Sequence, residues 1–196
     1  CILISLSTQE TTSVLSNLKH YNYTGMVCNQ IGENKTMKRT VRYDSYCGLN
    51  CGACPVGLAN HRGDEASLER MTGEWEVDRE YLDCAGCKSD TLAGYCRSCS
   101  MRACAREKGV EFCVQCDEYP CEELVSFRND EAPHHSAVLK NLKSIKDLGL
   151  EKWLLQEKKR WSCPECGESF HWYSENCGTC GEKLYNSVDE EKDLKD

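Results

Sequence analysis

The sequence predicts a small α+β fold that depends on its cysteines more than on a large apolar core, and three observations support this expectation. Cysteine contributes 17 of the 196 residues, far above its usual share. Leu, Ile, Val and Phe together contribute only 35 residues, and the formal net charge is −8. Such a composition is typical of disorder unless something cross-links the chain. A large barrel and a doubly wound sheet are excluded because there is too little apolar sequence to line either. A transmembrane helix is excluded because no window approaches roughly 18 apolar residues.

Cysteine spacing favours metal ligation over disulfides. Six pairs follow the pattern C-x2-C, in which two sulfurs on a tight turn can point at one ion. The pairs are Cys51/Cys54, Cys84/Cys87, Cys96/Cys99, Cys113/Cys116, Cys163/Cys166 and Cys177/Cys180. The odd total and the lack of a convincing signal peptide argue against a secreted disulfide scaffold. We therefore expect bound metal, with Zn²⁺ as the main ion, and a reducing cytoplasmic location.

Composition divides the chain into five segments. We expect a disordered or non-native extension at 1–36, a cysteine-rich multi-metal domain at 37–131, a helical pair at 132–160, a zinc ribbon at 161–186 and an acidic tail at 187–196. The first segment opens with Cys1, and Met37 is a plausible natural start. Cys1 and Cys28 have no partner at C-x2-C spacing, so we expect both to be free thiols.

The last four cysteines form the most specific motif of the chain. Cys163, Cys166, Cys177 and Cys180 follow C-x2-C-x10-C-x2-C, and a glycine follows each pair. Glycine there suits the turn that brings backbone amides toward the sulfurs. Residues 170–173 suit a short strand between the two pairs. The pattern predicts a β zinc ribbon in which these four cysteines bind one Zn²⁺.

The segment from residue 84 to residue 121 contains eight cysteines, enough for two four-cysteine sites. Its pattern C-x2-C-x4-C occurs twice at an offset of 17 residues. Sequential pairing gives one site of Cys84, Cys87, Cys96 and Cys99 and a second of Cys104, Cys113, Cys116 and Cys121. An interleaved cross-brace satisfies the same count, and the spacing does not decide between the two.

Cys47, Cys51 and Cys54 remain as a three-cysteine set in a glycine-rich loop. One interpretation is structural zinc with a fourth ligand from elsewhere; the candidates are His61, Asp64 and, less favoured, His134 and His135. A second is a [4Fe–4S] cluster with a distant ligand or an open iron. A third, a radical-SAM loop, is disfavoured because Ala53 replaces the usual aromatic residue. Only 29 residues separate Cys54 from Cys84, too few for the long barrel that such enzymes need after the loop.

Apolar spacing predicts helices beside the cysteines. Between residues 134 and 160, apolar residues recur at intervals of three and four in two stretches divided by Gly149. These stripes are typical of packing surfaces and predict a helical pair. Residues 138–160 also contain seven Lys or Arg and three acidic residues, so this segment, the basic stretch, is the one notably basic part of the sequence.

Three motifs resemble a known family. Residues 46–55 (YCGLNCGACP), 84–88 (CAGCK) and 116–122 (CDEYPCE) are similar to the prokaryotic cysteine-rich domain-of-unknown-function family 3795. The resemblance covers roughly residues 43–185, and some members append a ribbon of this kind. It implies metal binding by the matching cysteines and brings no established reaction.

These features together predict a cytosolic metal-binding protein, a zinc-stabilised binding or assembly module with a protein partner and no membrane association. Catalysis finds little support, because an open zinc site needs a positioned acid or base and no motif supplies one. One alternative is an iron–sulfur redox or electron-transfer protein that uses Cys47, Cys51 and Cys54. Another is a nucleic-acid-binding zinc-ribbon protein, which the negative net charge disfavours.

Overall fold

Helices make up the regular structure of residues 42–195, the part of the chain that the computed structural model describes. The α-helices are α1 Pro55–Arg62, α2 Glu65–Trp75, α3 Gly94–Arg97, α4 Ser100–Glu107, α5 Glu122–Arg128, α6 Val138–Leu148, α7 Leu150–Arg160 and α8 Ser187–Lys195. Short 3-10 helices lie at Cys51–Ala53, Arg79–Leu82, Cys113–Gln115 and Pro133–His135. No helix within residues 42–195 is long and apolar enough to cross a bilayer. The expectations for residues 1–36, including free thiols at Cys1 and Cys28, lie outside the described range.

The predicted α+β class and its β zinc ribbon are wrong. Residues 42–195 contain no β-strand, and antiparallel pairing in this range is limited to isolated bridges. The bridges join Asp44 to Asn50, Ser162 to Ser169 and Asn176 to Lys183. The two C-terminal cysteine pairs therefore lie in loops, each closed by a single bridge.

The predicted strand at residues 170–173 fails because its backbone groups bond to three separate segments. Phe170 N donates to Trp161 O at 3.0 Å, and Trp172 N donates to Ala53 O at 2.9 Å. Trp172 O in turn accepts from Ser187 N at 2.9 Å. A β-ladder needs consecutive hydrogen bonds to one neighbouring strand. These bonds instead tie the segment to the cysteine-rich region and to α8.

Local signals set the first two helices. Pro55 opens α1, where its missing N–H would have had no helical partner. Gly63 ends α1 in the left-handed conformation, with φ of 65°. Asp64 then caps α2 by accepting a hydrogen bond from Ser67 N at 3.0 Å. The sharp turn between the two helices is thus encoded by adjacent residues.

The helical pair predicted from apolar spacing is present as α6 and α7, and it packs against the cysteine-rich region. Their shared core consists of Cys47, Met101, Phe112, Leu124, Val138, Leu142, Ile145 and Trp153. Gly48 allows a close approach to α6, because a Cβ there would lie 2.9 Å from Val138 O and from Leu142 Cγ. A larger residue at 48 would push the loop that carries Cys47 away from α6.

Helix α8 is attached to the helical pair through one buried carboxylate. Glu190 Oε1 lies 2.7 Å from Lys140 Nζ of α6, and Glu190 Oε2 lies 3.4 Å from Arg160 Nη2 at the end of α7. Arg160 also donates to Tyr185 O at 2.8 Å. The acidic end of the chain therefore neutralises part of the basic stretch.

Candidate metal centre

Two loops of nearly identical backbone geometry carry the last four cysteines. Gly167 N donates to Cys163 O, and Gly181 N donates to Cys177 O, each at 2.9 Å. Both glycines have positive φ, 74° and 79° respectively, a conformation that a side chain would strain. The sequence therefore forms each turn locally, and each turn brings its two sulfurs to one side.

The structure brings these four sulfurs together. The ligand atoms of Cys163, Cys166, Cys177 and Cys180 all lie within 4.8 Å of one another. Cys163 Sγ is 3.6 Å from Cys180 Sγ, and Cys166 Sγ is 3.5 Å from Cys177 Sγ. These distances are too long for disulfides, and the fifteen cysteines within residues 42–195 are all free thiols. The cluster could hold a metal ion.

An apolar cluster positions the two loops. Cys163 and Cys177 are buried beside Trp161, Phe170 and Leu184, whereas Cys166 and Cys180 are exposed. Two sulfurs thus face the protein and two face the solvent edge. This arrangement gives a metal ion a direct path of entry from solution.

Backbone amides aimed at the sulfur of Cys177 favour its thiolate form. The N–H groups of Cys180 and Thr179 hold the pKa of Cys177 below its ordinary value. Hydrogen bonds to the charged form of a group lower the pKa of an acid. A lowered thiol pKa favours metal ligation, because the thiolate is the metal-binding form.

The eleven cysteines between residues 47 and 121 are arranged differently. Among the described residues, none of them belongs to a group of three ligand atoms that all lie within 4.8 Å of one another. The three-cysteine set predicted from the glycine-rich loop is divided, since Cys47 lies in the core with Phe112 and Leu142. Cys54 packs instead against the separate core that contains Val56.

The candidate non-cysteine ligands for that set contact groups other than the cysteines. Asp64 caps α2, as described above. Both ring nitrogens of His61 are buried with no hydrogen-bond partner, and its ring meets Tyr43 edge-on at 4.6 Å. Burial lowers the pKa of His61. His134 Nδ1 lies 2.5 Å from Tyr173 Oη, and His135 Nδ1 lies 2.8 Å from Asp130. None of these four is grouped with the cysteines.

Three side chains near cysteine sulfurs were not identified from sequence. Tyr95 Oη lies 3.4 Å from Cys54 Sγ, and burial, followed by the charge of Cys54, raises the pKa of this tyrosine. Ser45 Oγ lies 3.4 Å from Cys47 Sγ, and Lys108 Nζ lies 3.6 Å from Cys116 Sγ. Tyr95 and Cys54 are 41 residues apart, so no local pattern could indicate their contact.

The fold and the site define a helical, cysteine-rich protein with a four-sulfur cluster that could hold a metal ion. Residues 43–126 match the family described as "Protein of unknown function (DUF3795)". The resemblance seen in the motifs is thereby confirmed, over a shorter range than the one expected. The match includes Cys47 to Cys121 and ends before the C-terminal cluster. No curated protein and no solved structure matches the chain.

Proposed function

We propose that this chain is a cytoplasmic, zinc-stabilised metalloprotein whose role is to bind or assemble with a protein partner. The observation that supports it most directly is the convergence of the four sulfurs of Cys163, Cys166, Cys177 and Cys180. A zinc ion with Zn–S distances of about 2.3 Å in tetrahedral geometry places its sulfurs about 3.8 Å apart. The observed separations of 3.5 and 3.6 Å are close to that value.

The same distances favour a single ion over an iron–sulfur cluster in these two loops. A cluster of several irons spreads its thiolate ligands more widely than one tetrahedral ion does. Four thiolates also complete the coordination shell of zinc, so no position remains for an activated water. A structural role therefore suits the C-terminal cluster better than hydrolytic chemistry.

A protein partner suits the surface charge better than a nucleic acid does. Three of the seven cations of the basic stretch on α6 and α7 are paired within the chain: Lys140 and Arg160 contact Glu190, and Lys143 contacts Asp147. The formal net charge of the whole chain is −8. Nucleic-acid affinity rests on cations that are available to neutralise phosphates.

Elemental analysis combined with an absorption spectrum tests the proposal, on full-length protein purified without oxygen. We expect zinc in stoichiometric amount and no iron–sulfur absorption band. The Cys163→Ser variant should lose one equivalent of zinc, and the neighbouring Ser162→Ala variant should lose none. Iron with sulfide in place of zinc would overturn the proposal and favour a redox function.

A further inference from the structure

A groove of about 650 Å³ lies between α1 and α7, and no cysteine is among the described residues that line it. Its apolar lining consists of Tyr43, Leu58, Leu154, Leu155 and Trp161. Trp161 is buried, Leu58 and Leu154 are half-buried, and Tyr43 is 44% exposed. Apolar side chains that are exposed together at one place indicate a contact surface for another molecule.

Helix α7 contributes one continuous side to this groove. Glu151, Leu154, Leu155 and Lys158 all line the groove, and we refer to these four residues as the α7 face. The last three follow Glu151 by three, four and seven residues, a spacing that places all four on one side of a helix. Leu155 is 68% exposed, the highest value among the exposed large apolar side chains of residues 42–195. Trp153, on the opposite side of α7, is buried in the core, so the helix is held from one side and exposes apolar area on the other.

The two charged members of the α7 face have no partner within the described chain. Glu151 and Lys158 make no ion pair and no side-chain hydrogen bond among residues 42–195. The neighbouring Glu157, in contrast, accepts a hydrogen bond from Trp161 Nε1 at 3.0 Å. The α7 face therefore has an unpaired negative charge at one end, an unpaired positive charge at the other end and apolar side chains between them.

This order of charges makes the α7 face complementary to a second copy of itself in the antiparallel orientation. A two-fold axis that passes between Leu154 and Leu155 brings Glu151 of one copy opposite Lys158 of the other, and the symmetry forms the same pair a second time. Leu154 of each copy then meets Leu155 of the other. In a parallel pairing, each charge would instead lie opposite its own kind, so the charges select the antiparallel orientation.

We infer that a second copy of this chain covers the groove, through antiparallel pairing of the two α7 helices that places Leu155 of each copy in the groove of the other. Burial of the apolar lining drives the association, and the two charge pairs fix its orientation. The inference rests on the proposed function, since it names the partner for the proposed binding role. It uses neither the C-terminal cluster nor a bound metal ion.

Sedimentation equilibrium of the full-length protein, purified without oxygen, tests the inference from micromolar to millimolar concentration. We expect reversible dimerisation. Glu151→Lys and Lys158→Glu each convert both charge pairs into repulsive ones, so each variant should dimerise roughly tenfold more weakly than the wild type. A mixture of the two variants should restore the dimer, because the charges of one α7 face are then both positive and those of the other both negative.

Matched controls separate this surface from general effects of charge and apolar area. Lys146→Glu changes the net charge as Lys158→Glu does, and it should leave dimerisation unchanged because Lys146 lies on α6 outside the groove. Leu155→Ser should weaken the dimer, whereas Leu148→Ser, at a 41% exposed site at the end of α6, should not. At concentrations where the chain is monomeric, Leu155→Ser should unfold like the wild type, because Leu155 is exposed within a single chain.

The outcomes distinguish this inference from the proposed function, provided that zinc is measured on the same samples. A chain that contains zinc and stays monomeric at millimolar concentration overturns the inference and leaves the zinc-stabilised function standing. A dimer with the expected charge response in a chain without zinc supports the inference and contradicts the zinc-stabilised function. If both single variants and Leu155→Ser dimerise like the wild type, or if the mixture stays as weak as its components, the pairing of α7 helices is wrong.

Discussion

The C-terminal cluster and the upstream cysteine-rich segment reach their ligand arrangements by opposite routes. In the C-terminal cluster, two turns each form locally, and only one contact between loops is needed to bring four sulfurs together. In the upstream segment, the neighbours of a sulfur come from distant residues, as with Tyr95 and Cys54. Local turns can prepare a site before the protein folds, whereas interleaved ligands depend on the packing of helices around them.

Metal removal should have the largest effect and should distinguish the two regions. Structural zinc contributes on the order of 10 kcal/mol to folding per site. Residues 161–185 have only isolated bridges as β-pairing, so we expect a strong chelator to abolish their dispersed amide NMR signals. The signals of α6 and α7 should persist, because Leu142 and Trp153 are held in an apolar core. Retained dispersion at 161–185 would contradict metal dependence of the loops.

Core truncation should affect the upstream segment selectively. Leu142 is fully buried against the cysteine-rich region, and Leu142→Ala should lower the free energy of unfolding by about 2–5 kcal/mol. We also expect this variant to lose upstream metal more readily than metal at Cys163–Cys180. The control is Leu155→Ala, since Leu155 is 68% exposed and should change stability by less than about 0.5 kcal/mol. Equal loss of metal from both regions would contradict the expected selective effect on the upstream segment.

Acid should weaken the contact between residues 133–135 and the C-terminal region. Burial, and then the charge of His135, lowers the pKa of His134 to about 3, from an ordinary value of 6.5. The unfolded chain therefore binds the extra proton between these two pH values, so stability falls as the pH decreases through that window. His134→Gln should reduce the loss of unfolding free energy at about pH 5 by roughly 2 kcal/mol, as measured by urea unfolding. An unchanged pH dependence would exclude His134 as a contributor.

The smallest effect concerns the ion pairs that fasten α8. Glu190 is buried between Lys140 and Arg160, and we expect Glu190→Gln to cost about 1 kcal/mol. The control is Lys192→Gln, because Lys192 is exposed and pairs only at 3.5 Å with Asp189. Thermal unfolding of the two variants provides the comparison. Similar melting temperatures for both would show that α8 is held by other contacts.

The features predicted correctly from sequence are those with local causes. Gly149 divides the stripes that became α6 and α7. The C-x2-C-Gly repeats also indicated that Cys163 and Cys177 lie on tight turns. The strand predicted at residues 170–173 failed because its hydrogen-bond partners lie in three separate segments, one of which, at Ala53, is more than a hundred residues distant.

The sequence by itself determined the number and spacing of the cysteines, the turns that carry them and the helices beside them, because each depends on residues within a few positions of one another. Only the tertiary structure decided which sulfurs are neighbours. The separation of Cys47 from Cys54 follows from two apolar cores that take side chains from the whole of residues 47–153. Burial of apolar surface acts without regard to sequence distance, so ligand spacing alone could not predict the pairing.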